Sequence, residues 1–233
     1  MPTSCHIPKR VPSVVEILGP AGSGKTTLLR VLTERWQRIV PNVDVGRSYC
    51  LPFLIRNVTV RWPGFLRQYR RDRWFTWSET RSMVYVEAWH RHLGRRHLGD
   101  GRVTVFDQGP LFRLARLRAF GPALTRSAVY TRWQDEMLRR WTSTLDVAVY
   151  LDAPNNVLCE RIDARDSRHR IKRHSASEVD DFLRRYRTSF EEVLRRFADT
   201  GRLKVLRFNT ARESTAQLAD RILASLGFDT EEG

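Results

Sequence analysis

The chain has 233 residues, a formal charge of +15, 41% hydrophobic residues and 29% charged residues. A chain this long buries most of the surface its unfolded form exposes, and this composition excludes a disordered, fibrous or disulfide-stapled protein. No apolar run approaches the roughly 20 residues that span a bilayer, so no membrane partner is expected.

The N-terminal stretch MPTSCHIPKRVPS lacks the apolar core of a secretory signal. Cys5, Cys50 and Cys159 show neither zinc nor redox spacing, and a reduced, cytoplasmic compartment is expected. Lys9, Lys25, Lys172 and Lys204 are the only lysines among 41 basic residues; the rest are arginine. Those arginines fall on nearly every predicted helix, which reads as solvated faces, with a basic groove for a polyanion as the alternative.

In chain order, Val14 to Leu18 (VVEIL) is a short apolar run, followed by a glycine loop. Apolar residues at 28, 29, 32, 36 and 39 predict a helix over Thr26 to Val40, stopped by Pro41 and Asn42. Val43 to Tyr49 is a weak strand candidate carrying Asp44. Pro52 to Trp77 predicts one or two short helices interrupted at Trp62-Pro63-Gly64. Ser78 is the expected N-cap of a helix running to about Leu98. Val103 to Phe106 reads as a buried strand ending at Asp107. Helical patterns follow at about 111–119 and 126–142. Val147 to Leu151 is another buried strand, with Asp152 behind it as a helix cap. Pro154 starts a helix to about Arg165, and 166–176 reads as a polar, basic loop. Ser177 with Asp180 is expected to cap a long helix, and Leu203 to Phe208 is the last strand. Ser214 with Gln217 caps a final helix that stops at Gly227. Five strands alternating with helices predict an α/β fold, a parallel sheet covered on both faces. The chain reads as a tail at 1–12, one domain at 13–228 and an acidic tail at 229–233.

Gly19-Pro20-Ala21-Gly22-Ser23-Gly24-Lys25-Thr26 matches G-x-x-x-x-G-K-[ST] in full, between a strand and a helix. Its glycines let successive N–H groups point at one anion, and the helix N-terminus adds partial positive charge. Lys25 is placed to reach the outer phosphates of a nucleoside triphosphate, and Thr26 to bind Mg²⁺; Thr27 continues the loop into the helix. In an open parallel sheet, ligands sit beyond the carboxyl ends of the strands. Asp107, ending the third strand, can hold Mg²⁺ or accept a proton from an attacking hydroxyl, with Asp44 as the second candidate base. Arg161 and Arg165 lie four apart on one predicted helix face, and Arg168, Arg170, Lys172 and Arg173 follow in the loop. Such a lid over 161–176 would neutralise charge on a transferring group and exclude water.

The chain resembles the P-loop kinases of the nucleoside and nucleotide kinase group, including deoxynucleoside kinases and thymidylate kinase. The resemblance rests on GPAGSGKTT at 19–27, on FDQGP at 106–110 where those families place Asp-Arg motifs, and on VYLDAPNNVLCERIDARDSRHR at 149–170. A weaker likeness is Arg73-Trp74-Phe75-Thr76-Trp77 before a helix. The resemblance implies a three-layer P-loop NTPase sandwich with strand order 2-3-1-4-5 and an acceptor region at about 47–98. It also implies a catalytic set of Lys25, Asp107, Arg165 and Arg168 acting on Mg-ATP. Arg47, Arg56, Arg61, Arg73, Glu79 and Arg81 are candidate acceptor contacts, and Trp62, Trp74, Trp77 and Trp89 are either stacking or core residues. The expected activity is ATP-dependent transfer to a small-molecule hydroxyl. A polynucleotide 5′-hydroxyl kinase is the alternative, a nucleotide-dependent switch without acceptor the third reading, and a homodimer stays open.

Overall fold

The computed structural model describes residues 14–69, 73–94, 101–164, 176–199 and 203–228. The tails, part of the acceptor region and lid positions 165–175, which include Arg165 and Arg168, lie outside the described residues.

Five parallel strands form one sheet: β1 (Val14–Leu18), β2 (Ile39–Pro41), β3 (Val103–Asp107), β4 (Val147–Asp152) and β5 (Lys204–Asn209). Their order is β2-β3-β1-β4-β5, which is the P-loop NTPase arrangement. The inner strands are mostly apolar and buried along their length because both faces of the sheet are covered, with Glu16 of β1 and Thr104 of β3 as the polar exceptions. One face packs on α1 (Lys25–Arg35) and α9 (Thr215–Leu226), with Leu28, Leu32, Val105, Val149 and Ile222 in that core. The other face carries a larger aromatic core. It is built from α4 (Trp77–Leu93), α5 (Pro110–Phe120), α6 (Ala128–Trp141) and α8 (Ala176–Ala198). The helix α7 (Asn155–Asp163) follows β4 and buries Leu158 and Ile162 in a third, smaller cluster.

Several boundaries move from the sequence expectation. The first helix ends at Arg35, with Trp36 already extended, and the second strand is Ile39–Pro41 instead of Val43 to Tyr49. Apolar residues at 36 and 39 fit a helical period, but both are buried by the sheet side of the turn, and period alone does not separate the two. Asp44 therefore stands in the loop after β2, exposed, and not on a strand.

The segment at 47–68 is one helical run without interruption at Trp62-Pro63-Gly64. It passes from α2 (Arg47–Arg56) through a π-helical turn (Asn57–Arg61) into α3 (Trp62–Gln68). Pro63 falls in the first turn of α3, where a missing N–H costs little. Thr76, not Ser78, caps α4: its hydroxyl accepts from Glu79 N–H while Glu79 accepts from Thr76 N–H. Ser177 lies inside α8. The Ser214–Gln217 capping box and the left-handed Gly227 close α9 at both ends as expected.

Trp141 is fully buried, its indole N–H donates to the Val86 carbonyl at 3.1 Å, and its ring meets Phe106 edge-on. Trp141→Ala should cost about 3–5 kcal/mol, the usual scale for emptying an aromatic site. Urea unfolding followed by far-UV circular dichroism measures it.

Candidate functional site

The loop between β1 and α1 curls because its glycines take conformations closed to other residues. Gly19 has φ +148°, and a Cβ there would lie 2.1 Å from the Leu151 carbonyl of β4. The Lys25 ammonium folds back into this loop, donating to the carbonyls of Gly19 at 3.0 Å and Pro20 at 2.8 Å. It also stands 6.0 Å from the centre of the Phe112 ring.

Parallel pairing of β1 with β3 sets Ile17 beside Asp107, so the glycine loop and the end of β3 leave the sheet together. The Thr26 hydroxyl donates to Asp107 Oδ2 at 2.7 Å. Asp107 N–H donates to the Asn42 side-chain oxygen at 2.9 Å, which ties in the end of β2. Asp107 Oδ1 and Ser23 Oγ are buried without a hydrogen-bond partner. Buried polar atoms left open in a phosphate loop are acceptor and donor capacity for a ligand. One hydroxyl and one carboxylate form the sparse oxygen set suited to a Mg²⁺ that keeps waters and phosphate oxygens. Thr26 and Asp107 therefore fit a divalent cation. Among the described residues no cluster of three or more His, Cys, Asp or Glu forms a metal cage.

Two cavities flank the loop, and both are lined by Gly22 and Gly24. The smaller, about 410 Å³, is closed by Thr27, Arg161, Thr210 and Ser214. Arg161 is fixed there: its guanidinium donates to the Thr210 hydroxyl and carbonyl, both at 2.8 Å. The larger, about 700 Å³, is bounded by Lys25, Thr26 and Gln108 on the sheet side. Its walls are Arg73 and Thr76 just before α4, Ser78, Glu79 and Ser82 from its start, and Phe112, Arg116, Phe120, Phe182 and Tyr186 from α5 and α8. Phe182 stacks on Phe120 and Tyr186 on Phe112, giving one aromatic side. Arg73 grips Glu79 with two bonds of 2.8 Å and also donates to the Phe120 carbonyl at 2.6 Å. Burial alone would raise the Glu79 carboxyl; Arg73 and Thr76 outweigh it and hold it below the usual range.

Of the other acceptor candidates, Arg61 is spent in the interior on Glu87, at 2.9 Å, and on Asn57. Arg47, Arg81 and Trp77 line a separate groove beside α2 and α4. Arg56 is exposed and lines neither cavity. Trp89 is core, while Trp62 and Trp74 pack partly buried against it. Asp152 does not cap α7; it holds Arg187 of α8 through a two-pronged ion pair at 2.8 and 3.0 Å. Many other arginines are likewise paired with acidic groups, among them Arg35–Asp220, Arg118–Glu192, Arg196–Asp135 and Arg207–Glu191.

The sequence reading passed over Glu16, the one charge in an apolar strand. It is wholly buried, and its two oxygens accept from the N–H groups of Leu111 and Phe112 at 2.8 Å each. Its approach requires Gly109, where a Cβ would meet Glu16 at 2.9 Å and Phe106 at 2.7 Å. Gln108, between Asp107 and this glycine, is held at φ +62°, a strained conformation for a residue with a side chain. Burial pushes the Glu16 carboxyl up to about 8, against the opposing pull of the Phe112 and Leu111 N–H groups and of Arg113.

The AAA domain family matches residues 14–189. No curated protein matches the chain at a significant level. Among solved structures, thymidylate kinase from Candida albicans is similar with a TM-score of 0.56 at 14% identity, covering 93% of this chain and 91% of that one. The deoxyadenosine kinase of M. mycoides with bound dCTP gives 0.52 at 12% identity, over 92% and 98%. The YorR protein of Bacillus subtilis in complex with phosphorylated GDP gives 0.51 at 14% identity, over 92% and 96%. At these identities the likeness speaks for the fold alone.

The raised Glu16 pKa makes a signed prediction. The folded state holds this proton more tightly than the unfolded chain, so folding takes up a proton between about pH 4.5 and 8. Stability contributed at Glu16 is then fullest below the unfolded value and falls as pH rises toward 8. Urea unfolding of the wild type and Glu16→Gln at pH 5.5 and 8.5 should show the wild type losing more stability than the variant over that rise.

Proposed function

This chain belongs to the AAA domain family, and from that premise we propose that it is an ATP-dependent kinase acting on a hydroxyl of a small, nucleoside- or nucleotide-like molecule. The observation that carries the reading is the pair of cavities that share Gly22 and Gly24 of one phosphate loop, with Lys25 and Thr26 lining the larger and Asp107 bonded to Thr26. A bare ATPase has no need of the second, aromatic-walled cavity. Dispersal of the basic charge into local ion pairs supports a small acceptor over a polynucleotide.

In this reading the nucleotide base and sugar occupy the smaller cavity against Arg161 and Thr210, and the acceptor occupies the larger. Gly19, Pro20, Ala21, Gly22, Ser23 and Gly24 wrap the phosphates, with Thr27 beside them. Lys25 exchanges its two loop carbonyls for phosphate oxygens. Thr26 and Asp107 would hold Mg²⁺, which supplies charge neutralisation across the phosphates when bound. The acceptor oxygen forms a bond to the γ-phosphorus while the bond to the β-phosphate oxygen breaks, and ADP leaves. The acceptor proton goes to Asp107. Arg165 and Arg168, following α7 in sequence, neutralise the charge spread over the transferring group. Positioning and charge compensation supply most of the acceleration.

Three variants test the reading with γ-labelled ATP and a panel of nucleosides, nucleotides, sugars and oligonucleotides. Lys25→Ala should remove nearly all transfer with little change in folding, because this cation acts mainly on the transition state. A loss of only a few-fold contradicts the site. Asp107→Asn should keep nucleotide binding and lower turnover by ~10²-fold or more, with Asp44→Asn milder. The opposite order moves the base to the loop after β2.

A further inference from the structure

Two arginines one turn apart on α5 stand at the larger cavity with no acidic group in ion-pair contact among the described residues. Arg116 lines the larger cavity, half-buried, and has no hydrogen bond or ion pair among the described residues. Arg113 lies behind it, packed on the faces of Trp89 at 4.8 Å and Tyr85 at 5.0 Å. Among the described residues its only hydrogen bond goes to the Ser82 hydroxyl, itself a cavity residue, at 3.2 Å, and its Nε is buried without a partner. Burial, then the charge of Arg81, lowers the Arg113 pKa to about 10, with Arg116 adding to the effect. A desolvated cation is costly unless something supplies the counter-charge, and the buried Glu16 carboxyl, which attracts Arg113 without bonding it, is held by the Leu111 and Phe112 N–H groups. The one carboxylate on the cavity wall, Glu79, is already committed to Arg73.

Position along α5 gives the spacing. Phe112 lies beside Lys25, at the phosphate-loop end. Arg116 is one turn further, about 6 Å along the helix axis. Phe120 is another turn on and reaches the Arg73 end. We propose that the acceptor carries a second, non-reacting anionic group, a carboxylate or phosphate, about one helical turn from the attacked hydroxyl, and that Arg116 receives it with Arg113 behind. The acceptor's ring lies against Phe120, Phe182 and Tyr186. The position of the hydroxyl rests on the kinase reading; the anion site does not.

The test is equilibrium binding by ligand-observed NMR, with Mg²⁺ and a non-hydrolysable ATP analogue present at fixed ionic strength. The probes are 4-(hydroxymethyl)benzoate against its carboxamide, and 4-(hydroxymethyl)phenyl phosphate against 4-(hydroxymethyl)phenol. At least one charged probe should bind about 10-fold more tightly than its neutral partner, the scale of one charge-assisted hydrogen bond. Whichever pair shows the larger ratio tells carboxylate from phosphate. Arg116→Gln should erase the preference and Arg116→Lys keep part of it. Affinity for the ATP analogue, read at the other cavity, reports that both variants are folded. Equal binding of charged and neutral probes, no binding of either charged probe, or a preference surviving in Arg116→Gln would overturn the proposal. Phosphoryl transfer to neutral acceptors alone would sink this inference and leave the kinase reading standing. A charge preference lost in Arg116→Gln, with no transfer to any acceptor, would do the reverse.

Discussion

A carboxyl group buried inside the sheet ties the two halves of the site together. Glu16 belongs to the strand that feeds the phosphate loop, yet both its oxygens are taken by the first free N–H groups of α5. A helix N-terminus offers such groups and a partial positive charge, so the pairing satisfies groups that would otherwise be orphaned in the core. Through it the Asp107-Gln108-Gly109 turn is pinned at both ends, by β3 on one side and by the start of α5 on the other. The strained Gln108 and the crowded Gly109 follow from that double constraint. The direction of α5, and with it the line of Phe112, Arg116 and Phe120 along the cavity, is set by the same contact.

The polar groups of the interior divide into those the protein satisfies and those it leaves open. Glu87 accepts from the Trp133 indole and pairs with Arg61, which joins the π-helical turn to α4 and α6 inside the core. Breaking such a pair from one side strands a charge, so it fixes where this helical run sits on α4. Arg187 does the same between Asp152 and α8, holding the long helix on the carboxyl end of β4. Asp107 Oδ1 and Ser23 Oγ at the phosphate loop and Arg113 Nε beside the larger cavity are buried and open. Glu87 Oε2, the Tyr49 and Tyr130 hydroxyls and Gln134 Nε2 are open too, away from both cavities, so an open polar atom points to a ligand only where a cavity adjoins it.

The phosphate loop and the sheet were legible because their signals are local. Gly19 to Thr26 needs particular backbone conformations at particular positions, and the sequence can meet that need only with those residues. The apolar strands VTVF and VAVYL read as buried because both their faces are covered. The second strand was misplaced because it has three residues and sits at the sheet edge, too short for any period to develop. The helical run through Pro63 was misread because a π-helical turn carries the chain past the proline, and no residue pattern announces such a turn.

By itself, then, the sequence determined the phosphate loop, the parallel strand order by resemblance, the caps of α9 and the carboxylate ending β3. These depend on residues close in the chain or on a fixed motif. Only the tertiary structure decided which of the many arginines line a cavity. Arg61, Arg73, Arg113, Arg116 and Arg187 look alike as letters, and their roles differ by what lies across from them. Arg61 and Arg187 meet carboxylates from other elements, Arg73 meets Glu79 at the cavity wall, and Arg116 meets open space. A charge is defined by its surroundings, and those surroundings come from strands and helices that are distant in the chain and brought together by burial of the apolar core.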